Sequence, residues 1–113
     1  MSLQDKIRLL THAYGVSGDE FRVSRLAAEL MEPLCDRVET DDFGNVLGWR
    51  DSAVPGAKTV LLDAHIDQIG FMVTEVTPQG FLRFTQIGGV DQRMLLGSEP
   101  VVTARGGKEH LGI

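Results

Sequence analysis

His65 and Asp67 stand one residue apart at the end of an apolar run, "LLDAHIDQIG" over residues 61–70, and their types and spacing could do metal chemistry. An imidazole is a common ligand for divalent zinc and cobalt. A ligating histidine usually gives its other ring N–H to a carboxylate that fixes the tautomer. Asp67 is the candidate carboxylate, because residues two apart in an extended chain face the same side. Spacing alone leaves two readings open: a metal site begins here, or a strand ends in a histidine satisfied by a neighbouring acid. As a bare pattern the second is the commoner.

A metal needs further donors, about three from the protein at a catalytic zinc and roughly four at a structural one. His12 lies in a helical pattern without an acid or histidine at the right offset, Cys35 follows an apolar face, and His110 is near the last residue. Each reads as an ordinary residue, so no complete metal site is expected. "GVSGDE", residues 15–20, departs from the serine-nucleophile elbow Gly-x-Ser-x-Gly: Asp19 holds the fifth position and a helix precedes it. Ser17 and Glu20 instead fit a capping box at the start of a second helix. The Gly-Gly pairs at 88–89 and 106–107 lack the strand-to-helix context of a phosphate loop and read as turns.

The elements that must position these residues follow from periodicity. Leu3, Ile7, Leu10 and Tyr14, behind a capping-box-like Ser2 and Asp5, predict an amphipathic helix over residues 2–14 that Gly15 stops. Val23, Leu26, Ala27, Leu30 and Leu34 line a second helix that ends at Pro33. "RVET" and "VLGW" flank the turn "DDFGN", whose Gly44 and Asn45 can take positive φ, and predict a hairpin. The apolar centre of "KTVLLDA" predicts a central strand buried on both faces. "IGFMVTEV" and "FLRFTQI" around "TPQG" predict a second hairpin. A single helical turn is expected within "GGVDQRMLLGS", then extended structure at "EPVVTAR". The fold class is therefore mixed α/β, running near residues 66–70 into a Gly-punctuated β region. That seam holds His65 and Asp67, and small-molecule sites often lie at such seams.

Composition excludes several function classes. A chain of 113 residues is one domain at most, burying about two-thirds of its unfolded surface around a single modest core. The net charge is −5, from 16 acidic against 11 basic residues without a basic run, which argues against nucleic-acid and membrane partners. The single Cys35 forms no internal disulfide, and the charged N-terminal stretch does not fit a signal peptide, so a soluble, cytoplasmic protein is expected. "VVTARGGKEHLGI" reads as strand, turn and the start of another strand, and the chain is expected to be truncated there.

Five stretches, in order, resemble the N-terminal part of one family: the dinuclear-metal aminopeptidases that include glutamyl, deblocking and tetrahedral aminopeptidases, some labelled endoglucanases or cellulases. "GVSGDE" resembles its early Gly-x-Ser-Gly-x-Glu loop, "TDDFGNVLG" its Asp-x-x-Gly-Asn hairpin, and "LLDAHIDQIGFMV" its Ala-His-x-Asp-Glu-Ile-Gly metal motif. "GFLRFTQIGGV" and "PVVTARGGKEHLGI" resemble the start of the family's inserted PDZ-like β domain. The resemblance implies an N-terminal part of a zinc-peptidase-like α/β catalytic lobe over residues 1–69 and the truncated start of the PDZ-like domain over 70–113. It implies that His65 ligates one of two divalent metal ions, zinc or cobalt, and that Asp67 orients it. The remaining ligands and the glutamate general base are implied to lie downstream, outside this chain.

The expected function is that of an N-terminal fragment of a metal-dependent aminopeptidase acting on short peptides, inactive alone and homo-oligomeric when full length. Gln68 departs from the motif, which has glutamate there; the missing negative charge should modestly weaken cation binding or alter the bound water. The alternative is a non-catalytic peptide-binding or assembly module. An endoglucanase is a third reading, for which paired carboxylates at a sugar-cleaving spacing are not identifiable.

Overall fold

The computed structural model describes residues 1–112. Helix α1 (Leu3–His12) starts where the sequence places it. The Asp5 amide donates to Ser2 Oγ at 3.1 Å, and Asp5 Oδ2 accepts from the Ser2 amide at 2.9 Å, a reciprocal capping box. It ends earlier than expected: Ala13 is already extended, so Gly15 is not its stop. Helix α2 (Phe21–Met31) gives way to a tight turn, Glu32–Leu34, that contains Pro33. A proline has no N–H for the α-helical ladder but is tolerated in the first turn of a new helical piece.

Strands β1 (Arg37–Thr40) and β2 (Val46–Trp49) form the expected antiparallel hairpin, with Arg37 opposite Trp49 and its guanidinium 3.8 Å from the ring centroid. The Asp41 carboxylate organises the turn, accepting from the amides of Phe43 and Asn45 at 2.9 Å each and from Asn45 Nδ2 at 2.8 Å. Only Gly44 takes positive φ there; Asn45 contributes through its side chain instead. Helix α2 lies on this hairpin. The buried Ser24 hydroxyl donates to the Gly44 carbonyl at 2.9 Å, and Met31 lies against Gly48.

The buried central strand expected at "KTVLLDA" does not form. Residues 58–64 belong to no strand, and Val60, Leu61 and Leu62 are 78%, 86% and 91% exposed. A strand needs neighbouring backbone to satisfy its N–H and C=O groups. The described residues build three two-stranded sheets, each paired only within itself, and none borders this segment.

Strands β3 (Gly70–Val76) and β4 (Leu82–Ile87) form the second hairpin, with a register shift between Val73 and Glu75 that leaves Thr74 as a bulge. Phe71 and Phe84 pack edge to face, ring centroids 4.8 Å apart. The expected helical turn is Gln92–Met94, and β5 (Val101–Thr103) pairs with β6 (Glu109–Leu111). The arrangement is mixed α/β, as the sequence predicts, but elongated: 66 × 30 × 28 Å with a radius of gyration of 18.2 Å. A compact domain of this length would have about 13 Å. Its accessible surface is 9757 Å², against about 6,100 Å² for a compact chain of 12.4 kDa. The expected single core is correspondingly small. Val16 and Val23 are the buried hydrophobic side chains among the described residues, because elements strung along one axis cannot cover one another's apolar faces.

Candidate functional site

The segment carrying His65 and Asp67 is held by a loop that precedes it by fifty residues. In that loop the Asp19 amide donates to the Val16 carbonyl at 2.8 Å, closing a four-residue turn with Ser17 and Gly18 at its centre. Gly18 has φ +93°, a left-handed position that favours glycine. The Glu20 carboxylate locks the turn by accepting from the Gly18 amide at 2.7 Å. The loop then grips the later segment: the Gln68 amide donates to the Gly15 carbonyl at 2.8 Å, and Val16 makes an isolated parallel bridge to Gln68. Gly70 completes the fit, since a Cβ there would fall 2.6 Å from Val16 Cγ2. The buried Val16 thus sets where the strand β3 begins.

This grip brings three side chains together. His65 Nδ1 lies 2.9 Å from Asp67 Oδ1 and 3.2 Å from the Asp67 carbonyl, while the Ser17 hydroxyl donates to Asp67 Oδ2. The Ser17 hydroxyl first, then the His65 ring, hold the Asp67 carboxyl below the usual carboxylate range, so it is ionised at neutral pH and only accepts. Both groups facing Nδ1 are acceptors. In the neutral ring the proton therefore sits on Nδ1 and the lone pair on Nε2. Among the described residues Nε2 has no hydrogen-bond partner, and the side chain is 85% exposed. The donor set fits one imidazole ligand to a metal, directed outward from the chain. Ser17 is not a nucleophile here, because it donates to the carboxylate oxygen remote from the ring rather than to the imidazole.

The spacing of His65 and Asp67 permits their contact and the structure forms it, whereas Ser17 does not take the role its position predicts. The expected capping box of Ser17 and Glu20 does not exist: α2 begins at Phe21 behind Glu20, without a side-chain cap, and both side chains serve the turn and the later segment. A local signal pointed the same way. The box would have placed Gly18 in the first helical turn, where glycine costs about 1 kcal/mol relative to alanine. His12, Cys35 and His110 do not join the pair. His12 closes α1, Cys35 is half-buried beside Gly48, and His110 pairs with Val102 in the β5–β6 hairpin. No group of three or more His, Cys, Asp or Glu that could hold a metal occurs among the described residues.

Comparison with known proteins bears on this geometry. The M42 glutamyl aminopeptidase family matches residues 44–113. The glutamyl aminopeptidase of Lactococcus lactis subsp. cremoris is 30% identical over 109 residues, 96% of this chain and 31% of that protein. An aminopeptidase from the archaeon Desulfurococcus kamchatkensis superposes with a TM-score of 0.90 at 38% identity, over 96% of this chain and 30% of its own. A Thermotoga maritima protein titled endoglucanase gives a TM-score of 0.72 at 35% identity, over 79% of this chain and 28% of its own. The chain spans less than a third of the length of the relatives it matches.

Proposed function

This chain belongs to the M42 glutamyl aminopeptidase family, and from that premise we propose that it is the N-terminal part of a metal-dependent aminopeptidase removing N-terminal residues from short peptides, and contributes one ligand to its metal site. The observation that carries the proposal is the His65–Asp67 pair, which among the described residues leaves Nε2 of the exposed His65 ring without a partner. His65 would hold one of two divalent metal ions through Nε2, and Asp67 would fix the ring's tautomer and plane. Zinc or cobalt bound there would supply a Lewis acid for peptide hydrolysis. The other ligands and the proton-transferring group belong to parts of the complete protein outside these residues, so the chain alone would not turn over substrate.

Residues 1–69 are assigned to the catalytic lobe and 70–113 to the start of a PDZ-like β domain. The change at Gly70, from helices and one hairpin to successive antiparallel hairpins, supports that division. A cytoplasmic homo-oligomer completes the reading, supported by the single cysteine and the large apolar surface left open for contacts. No helix among the described residues is long and apolar enough to cross a membrane.

The test uses the complete protein that carries this chain. His65→Ala should weaken zinc binding, measured by chelator competition, by about 100-fold or more, beyond the loss typical of an outer partner. Hydrolysis of aminoacyl p-nitroanilides should fall with it. Unchanged metal affinity in His65→Ala would refute the ligand assignment. Metal binding without peptide turnover would favour the non-catalytic peptide-binding or assembly module, and release of sugar from carboxymethyl cellulose the endoglucanase reading.

A further inference from the structure

Ser17 has a fixed backbone and a hydroxyl that α2 does not use. The turn closed by Asp19 and Val16, the lock from Glu20 to Gly18 and the Gly15–Gln68 hydrogen bond hold it in place around the buried Val16. Its hydroxyl crosses to the segment fifty residues later and donates to Asp67 Oδ2. Resting on the reading of His65 as a metal ligand, we infer that Ser17 is a positioning residue for that ligand, acting through Asp67.

An aspartate carboxylate turns about two side-chain torsions. Asp67 is 38% exposed, so packing alone does not fix it. A hydrogen bond at Oδ1 alone leaves the carboxylate free to swing about that contact. A second one at Oδ2, from a hydroxyl on an immobile turn, defines its plane. With the plane set, Oδ1 meets Nδ1 at 2.9 Å and Nε2 points outward in one orientation instead of several. Ser17 thus restricts the ring before a metal arrives, and what it contributes is metal affinity rather than proton transfer.

The complete protein is the object of the test, with zinc dissociation constants from chelator competition as the main measurement. Ser17→Ala should weaken zinc roughly 3–10-fold, less than the 10–100-fold typical of a residue that touches the ligand directly. Ser17→Thr, which keeps the hydroxyl, should restore affinity to within about 2-fold of wild type on the same scale. In an Asp67→Ala background, Ser17→Ala should have no further effect, because its route to His65 is gone. The melting temperature of the metal-free protein, measured alongside, separates loss of the turn from loss of positioning; an affinity loss that merely tracks a lower melting temperature and is not rescued by Thr overturns the inference. So does an effect that persists in the Asp67→Ala background. If Ser17→Ala binds zinc like wild type while His65→Ala does not, Ser17 has no positioning role and the ligand assignment stands. If His65→Ala itself binds like wild type, it is the ligand assignment that fails.

Discussion

Gln68 shows how backbone and side chain at one position serve different ends. Its amide is the rung that ties the His65 segment to Gly15, a contact any residue except proline would make. Its side chain is exposed beside Asp67 and carries no charge where the resembled motif has glutamate. The substitution therefore leaves the fold alone and bears on the charge near His65. In the complete protein Gln68→Glu should tighten zinc binding by about 2- to 5-fold, the range of an exposed charge interaction, and the gain should shrink at 0.5 M salt. Equal affinities at low salt would show that the missing charge is without consequence. Asp67→Asn is expected to lose about 10–100-fold in zinc affinity, because the amide can present its N–H₂ to Nδ1 and disturb the tautomer.

Among the elements, those whose signals are local were legible in the sequence. The capping box of α1, the Asp41-centred turn of β1–β2 and the Pro/Gly connection of β3–β4 each lie within a few residues of what they organise. What escaped depends on distant partners. The Ser17–Asp67 contact spans fifty residues and competes with a plausible local cap, and the run at 58–64 looks buried only if neighbouring strands exist to bury it. Two predictions belong to this scale. Gly70→Ala should cost about 1–3 kcal/mol by driving a methyl into Val16, seen as a lower melting temperature of the complete protein. At the β1–β2 turn, the Asn45 amide group and backbone amides hold Asp41 below its ordinary range. Its contribution is present at neutral pH and lost as pH falls through the depressed folded value. Amide exchange at Phe43 and Asn45 should thus be slower in wild type than in Asp41→Ala at pH 7, with the gap closing below about pH 4. A gap independent of pH would remove the carboxylate from that role.

At the scale of the whole molecule, surface and shape dominate. An accessible surface more than half again that of a compact chain, three separate two-stranded sheets among the described residues and an exposed apolar run leave many strand edges open. The 113-residue chain expressed alone should therefore scatter X-rays with a radius of gyration near or above 18.2 Å, or as an assembly, and hydrolyse no aminoacyl p-nitroanilide. A compact particle of about 13 Å with turnover would contradict both the fold and the function proposed. The fifty-residue separation of Ser17 and Asp67 also orders events in time. Hairpins such as β1–β2 close short loops within microseconds, but the Ser17–Asp67 link requires the chain between them to be gathered first. It should form after the folding transition state, so weakening it would accelerate unfolding and leave the folding rate nearly unchanged. The orientation of His65 would then be among the last features acquired as the polypeptide matures, and the metal binding proposed for it would have to await that late closure.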